Sequence, residues 1–344
     1  MEIELLQPLN ESGRYDTVLL TDYAWPDVEL ERAIVQEAGF KLVAGPSSPL
    51  PAQAIEELCR EHRPSAILTC WAEVSGAAID ASPELRVVAR LGVGLDNIAV
   101  AHATSRGVLV TNVPDYCIEE VSDHALAMVL AWTRGVAVFD REVKRGRWDP
   151  ASARLRRLAA LTCGVIGYGR TGQRTVAKLQ AFGPRLLVSD PAPREVAGVS
   201  FTDLDTLLAQ SDVVIVHAPL TEQTRHLIDS QRVARMKPGA LLVNVSRGGI
   251  VDTNAVAAGL ASGLLGGACL DVLESEPEVP EALRAQPGAL ITPHVAFSSD
   301  VSLLELRRRA CEEVVRVLRG QAPHFPCNRP VLRDETTSNK DRHE

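Results

Sequence analysis

The chain has 344 residues, 46% of them hydrophobic and 23% charged, with 24 Gly and 21 Pro. That is enough for about two domains with buried cores, and it excludes collagen-like, low-complexity and largely disordered chains. A formal net charge of −8 argues against non-specific attachment to nucleic acid or an anionic membrane.

No apolar run approaches the roughly 20 residues that cross a bilayer. The nearest candidate, residues 257–270, is Gly-rich and interrupted by Ser262. The opening Met1-Glu-Ile-Glu-Leu lacks the basic and apolar regions of a signal peptide. Seven cysteines, an odd number with no C-x-x-C pair, disfavour a disulfide framework or a structural zinc site and point to a reducing, cytoplasmic compartment. No metal is expected.

In chain order, short β-branched runs at 17–21, 41–45, 65–69, 85–89 and 108–111 predict buried strands. Helix-like segments such as 27–38 and 51–62 separate them. Continuously apolar strands spaced by helices imply a parallel sheet covered on both faces. A long apolar helix is expected at 119–134, then a basic stretch at 144–157. The rhythm restarts with strands at 162–166, 185–189, 213–217, 240–245, 267–272 and 289–292, and closes with a helix at 301–319. Two such series imply two α/β units, and the polar tail from about 331 is expected to be disordered.

The strongest local signal is Gly167-Tyr168-Gly169-Arg170-Thr171-Gly172, which ends a predicted strand and opens a predicted helix. In such a turn the first glycine permits a tight bend, the second lets backbone approach a pyrophosphate, and the third packs helix on strand. The helix N-terminus adds unpaired N–H groups and a partial positive charge. The next strand ends at Asp190, 18 residues beyond Gly172. A carboxylate there accepts both ribose hydroxyls of NAD and repels the 2′-phosphate of NADP. No Arg stands at 189 or 191 to reverse this, Arg194 being the nearest. NAD is therefore expected rather than NADP.

Three later segments follow predicted strands, at the edge where open α/β sheets bind ligands. They carry Arg247, the acids Glu274, Glu276 and Glu278, and His294. A guanidinium, a carboxylate and an imidazole suit hydride transfer to or from a 2-hydroxy acid. Histidine exchanges the hydroxyl proton near neutral pH, a carboxylate on its other nitrogen fixes the tautomer, and arginine holds the substrate carboxylate and polarises the keto oxygen. Chemistry alone does not choose among the three acids.

With Arg90-Leu-Gly-Val-Gly-Leu-Asp-Asn-Ile98, Asn112-Val-Pro114, Glu119-Glu-Val-Ser-Asp-His-Ala-Leu126 and His217-Ala-Pro-Leu-Thr221 added, the chain resembles the D-isomer-specific 2-hydroxyacid dehydrogenase family from about residue 17 to 330. Its members include D-3-phosphoglycerate dehydrogenase, glyoxylate/hydroxypyruvate reductase and the C-terminal-binding-protein branch. The resemblance implies an α/β fold in which a Rossmann-type doubly wound parallel cofactor domain (105–294) is inserted into a flavodoxin-like α/β substrate domain (1–104 plus 295–330). It implies that Arg247 binds substrate, Glu276 pairs with the imidazole and His294 exchanges the proton. Backbone at Val93 and Gly94 would receive the substrate carboxylate. Cofactor contacts would come from Gly167, Tyr168, Gly169, Arg170, Thr171, Gly172, Asp190, His217, Ala218, Pro219, Ser246 and His294. Asp271 would bond the nicotinamide amide, and Val245 and Ala296 would line its site.

Leu273 stands where the family commonly has an aromatic, and Phe297 where the C-terminal-binding-protein branch often has Trp; both bear on substrate size. Cys70-Trp71 falls in a loop where relatives differ. The extra regulatory domain of some phosphoglycerate dehydrogenases is not expected, nor is serine-type feedback. The expected partner is a small 2-keto or 2-hydroxy acid, with no nucleic acid and no membrane, in a homodimer formed around the long helix. The alternatives are an NADH-sensing, corepressor-like interaction protein and a family member acting on a phosphonate or phosphite, for which the basic Lys144-Arg-Gly-Arg147 would matter.

Overall fold

Val18, Leu19, Leu20 and Ile67 are all fully buried, and strands apolar at every position need cover on both sheet faces. The computed structural model describes residues 16–330. In it such strands build two parallel sheets in two units, one of the described residues through Tyr116 and from Asp300, the other Cys117–Ser299.

The first unit alternates β1 (Thr17–Leu20), α1 (Glu29–Glu37), β2 (Lys41–Ala44), α2 (Ala52–His62), β3 (Ala66–Thr69), α3 (Gly76–Asp80), β4 (Val87–Arg90), α4 (Val100–Ser105) and β5 (Leu109–Thr111). The sheet order is β2-β1-β3-β4-β5, the flavodoxin-like arrangement. Ile55 and Cys59, one helical turn apart, are the buried residues of α2. The helix stops where Arg63 turns left-handed (φ 45°) and donates its N–H to Cys59 O. A C-terminal helix, Asp300–Leu318, returns to this unit. Arg307 on it forms a buried ion pair with Glu31 on α1, Nε to Oε1 at 2.7 Å.

The second unit opens with α5 (Ile118–Thr133) and α6 (Val136–Lys144). It continues through β6 (Thr162–Ile166), α7 (Arg170–Gln180), β7 (Arg185–Ser189), β8 (Val199–Phe201), α8 (Leu204–Gln210), β9 (Val213–Val216), α9 (Ser230–Arg235), β10 (Ala240–Asn244), α10 (Thr253–Ala261), β11 (Leu265–Leu270), α11 (Glu281–Arg284) and β12 (Ala289–Ile291). The sheet order is β12-β11-β10-β9-β6-β7-β8, the doubly wound pattern that runs outward in both directions from its first strand. Side chains alternate between two cores. Val214, Val216, Leu242 and Leu270 pack with Leu208, Val233 and Val256. Val213, Ile215, Leu241 and Val243 pack with Met128 and Val129 of α5 and Val176 and Leu179 of α7.

The strands expected from sequence lie within a residue or two of their positions; the one expected at 267–272 starts earlier, at Leu265. The three-residue edge strand β8, exposed at Ser200, is too short for its pattern to be read. The tail expected to be disordered lies outside the described residues.

Candidate active site

The strand order reverses between β6 and β9, so the loops leaving these two neighbours face one crevice at the carboxyl end of the sheet. Gly167 leaves β6 at φ +94°, and a Cβ there would sit 2.8 Å from the His217 carbonyl carbon after β9. Gly172 is equally confined, since its Cβ would lie 2.2 Å from Gly167 O. Gly169 differs: among the described residues, its own chain neighbours aside, no atom lies within 4 Å of where its Cβ would be. Gly169 also caps α7 without a side-chain hydrogen bond, so the helix presents backbone N–H groups and its positive end. Tight glycines below and an open one at an uncapped helix start form a cradle that fits a pyrophosphate.

Asp190 ends this turn on the β7 side. Its Oδ2 accepts the Tyr168 N–H at 2.6 Å, and its Oδ1 accepts the Ala192 N–H at 2.8 Å. The Tyr168 ring meets Phe201 edge-on, with Arg194 over it at 5.4 Å. Under the turn, His217 Nε2 lies 2.9 Å from the Thr175 hydroxyl. Burial pushes this imidazole down to about 4, so it is neutral at physiological pH.

The Arg247 loop is fixed by Asn244 at the end of β10. Its Oδ1 accepts the Ser246 N–H and its Nδ2 donates to Arg247 O, while the Ser246 hydroxyl donates to Ala218 O. A Cβ on Gly248 would lie 1.9 Å from the Leu273 carbonyl carbon, so the loops after β10 and β11 meet backbone to backbone. The three acids are sorted by this packing. Glu274 accepts the Thr253 N–H at the start of α10 at 2.8 Å and contacts His226 Nε2 at 2.5 Å. Glu278 is exposed. Glu276 takes the Leu273 N–H on Oε1 at 2.9 Å and faces His294 Nδ1 with Oε2 at 2.7 Å. Burial opposes its charge, but the bonds from His294 and Leu273 and the positive field of Arg247 outweigh it, holding the carboxyl below its ordinary range.

His294 adopts the left-handed conformation (φ +53°), which is uncommon outside glycine. Its N–H donates to Asp271 O at 2.8 Å, and its ring meets Phe297 edge-on. The Asp271 carboxylate, almost wholly buried, accepts from the Thr292 hydroxyl, Val295 N–H and Ala296 N–H. Val245 and Ala296 are buried in the same core cluster as Val243. Sequence reasoning missed the brackets supplied by Asn244, Thr175 and Thr292. Only the position of Asn244 and Thr292 at strand ends hinted at them.

In the first unit, the loop after β4 is held by Asn112, whose Nδ2 donates to Val93 O at 2.7 Å, and by the Val113 N–H on Gly92 O. Val93 is exposed there.

Residues 126–296 match the family model of the D-isomer specific 2-hydroxyacid dehydrogenase NAD binding domain. A glyoxylate reductase of Thermofilum pendens is 34% identical over 290 residues, 81% of this chain and 86% of the relative. The D-lactate dehydrogenase of Aquifex aeolicus, solved with NAD and lactic acid, aligns with a TM-score of 0.80 at 28% identity, over 89% of this chain and 96% of that one. An NADPH-dependent glyoxylate/hydroxypyruvate reductase of Sinorhizobium meliloti, solved with NADP and malonate, aligns with a TM-score of 0.79 at 29% identity, over 91% of this chain and 96% of that one.

Proposed function

The chain belongs to the D-isomer-specific 2-hydroxyacid dehydrogenase family, with a Rossmann-type NAD-binding domain, and from that premise we propose that it interconverts a small 2-keto acid and its 2-hydroxy acid with His294 as general acid and base. The observation that carries this reading is the Glu276–His294 pair, Oε2 to Nδ1 at 2.7 Å; the positive field of Arg247 also favours the charged form of that carboxylate.

When bound, the nicotinamide supplies or accepts the hydride at C2 of the substrate. Glu276 holds the proton on Nδ1 of His294, which assigns Nε2 to the exchange with substrate oxygen. In reduction His294 Nε2 gives its proton to the keto oxygen and the hydroxyl forms. In oxidation Nε2 takes that proton back, and Glu276 stabilises the imidazolium. Arg247 binds the substrate anion and draws electron density toward the keto oxygen. Val93 and Gly94 are proposed for the substrate carboxylate on family resemblance alone. The division into a substrate and a cofactor domain belongs to the same proposal.

NAD is the proposed cofactor, over NADP. Asp190 is anchored at the end of β7 by two backbone N–H groups, and its charge opposes a 2′-phosphate. The turn from Gly167 to Gly172, with His217, Ala218, Pro219 and Ser246 beside it, would hold the cofactor, and Asp271 and Ala296 would border the nicotinamide. Among the described residues no helix is long and apolar enough to cross a membrane, and a cytoplasmic location is proposed with the function. A homodimer formed around α5 belongs to the same proposal; the exposed apolar side chains on and after the next helix, α6, support it, above all Trp148 at 83% exposure on a 560 Å³ groove.

Reduction of glyoxylate, hydroxypyruvate, pyruvate and longer 2-keto acids, followed by NADH absorbance with NADPH alongside, tests the proposal. Turnover of a small member, with NADH preferred and His294→Gln inactive, is expected. Full activity in His294→Gln refutes the assigned proton carrier.

A further inference from the structure

His124, on α5, takes no part in the chemistry above, yet it touches the network that holds the His294 loop. Its Nε2 lies 3.1 Å from Thr292 Oγ1 and 3.6 Å from Asp271 Oδ1. The Thr292 hydroxyl has one proton and donates it to Asp271 Oδ1 at 2.6 Å. A hydroxyl whose proton is committed can meet another polar atom only as an acceptor. His124 Nε2 therefore carries a hydrogen and donates it, and the direction of the chain is fixed as His124 to Thr292 to Asp271.

Asp271 is the hub of that chain, with a side chain only 1% exposed. It receives the Thr292 hydroxyl, the Val295 N–H and the Ala296 N–H on its carboxylate, and the His294 N–H on its carbonyl. Every one of these bonds goes to residues 292–296, the segment that holds His294 at φ +53°. Such a conformation costs on the order of 1 kcal/mol or more and persists only where its surroundings over-determine it. His124 is part of those surroundings. Its helix neighbours Ala125, Met128 and Val129 fill the core, whereas the His124 side chain is 24% exposed, so packing does not account for an imidazole there.

We propose that His124 is a positioning residue for the 2-hydroxy acid reaction. By donating to Thr292 it orients that hydroxyl on Asp271 and keeps the 292–296 loop in the shape that sets His294 Nδ1 against Glu276. The role in turnover rests on the reading of His294 as proton carrier; the hold on the loop does not.

The test compares His124→Ala, His124→Gln, Thr292→Val and the double variant with the wild-type chain. Deuterium exchange at the Val295 and Ala296 amides is read in the cofactor-free protein, and kcat in the assay above. His124→Ala is expected to speed exchange at both amides and lower kcat about tenfold, equivalent to about 1.4 kcal/mol. His124→Gln, whose amide can donate to Thr292 Oγ1, is expected within threefold of wild type in both readouts. The double variant is expected to be no worse than Thr292→Val alone, because the two residues act in series. Where His124→Ala does not fold, His124→Leu takes its place against His124→Gln. Unchanged exchange in His124→Ala, equal damage from Ala and Gln, or multiplying effects in the double variant overturns the proposal. Activity retained in His294→Gln overturns instead the reading of the proton carrier, and the exchange experiment still decides what His124 does.

Discussion

Replacing Glu276 with Gln tests the site where its geometry is most explicit. In the native protein Oε1 accepts the Leu273 N–H at 2.9 Å and Oε2 accepts from His294 Nδ1 at 2.7 Å. A glutamine has one acceptor oxygen. If it serves Leu273, the amide NH₂ faces Nδ1, which must then accept, and the imidazole switches to the tautomer protonated on Nε2. That tautomer is a poor base for oxidation, and as a neutral ring it is a poor acid for reduction. A hydrogen bond to a charged group is worth about 1.5–3 kcal/mol, or roughly 10- to 150-fold in rate. The Glu276 side chain is 34% exposed, and solvent screening places the expectation in the lower part of that range, at about 10- to 50-fold in kcat/KM. Loss of the anion disfavours the imidazolium, so the basic limb of the reduction profile also moves to lower pH. Both are read from initial rates of NADH oxidation between pH 5 and 9 in constant-ionic-strength buffers. A variant within threefold of wild type, with its basic limb unmoved, refutes the pairing as a working part of the site.

Three further outcomes follow from the same unit. His217 is held at about 4 by burial against an ordinary 6.5. The unfolded chain therefore binds a proton that the folded one refuses, and this residue's contribution is intact above pH 6.5 and lost as pH falls toward 4. At 1.36 kcal/mol per unit the loss is about 3 kcal/mol, and urea melts at pH 7 and 4.5 should show His217→Gln losing less stability than wild type; equal losses would reject it. Gly248→Ala should push the Arg247 loop off Leu273, given a Cβ 1.9 Å from a backbone carbon. About 1–3 kcal/mol of destabilisation and a melting drop of several degrees are expected, and an unchanged Tm with unchanged kcat counts against that packing. Asp190→Ala should weaken NADH binding about tenfold while leaving NADPH binding equal or tighter, by fluorescence titration; an unaltered NADH-to-NADPH ratio would show that Asp190 does not read the ribose.

What was legible in the sequence was local. β9 could be placed because Val213, Val214, Ile215 and Val216 are apolar without a break and fill two cores. The Gly167 turn could be placed because its three glycines recur within six residues, although the backbone that crowds Gly167 belongs to His217 after β9. β8 could not be placed, since a three-residue edge strand with an exposed centre carries no period. The network beneath His294 was equally hidden, as His124 and Thr292 are 168 positions apart and each alone reads as an ordinary polar residue on a helix or at a strand end.

The three acids after β11 show what the fold adds to residue chemistry. Glu274, Glu276 and Glu278 are the same side chain at alternate positions, and proton chemistry favours none of them. Glu274 is drawn off by the unsatisfied N–H of Thr253 at the start of α10, a bond that a helix terminus demands. Glu276 is turned by the N–H of Leu273 in its own loop, and Leu273 is itself seated by the backbone contact with Gly248. The carboxylate that meets the imidazole is thus chosen by a glycine on another loop, and the same contact ties the Arg247 segment to that choice. A change at Gly248 should therefore disturb the arginine and the carboxylate together, which a change at either side chain alone cannot do.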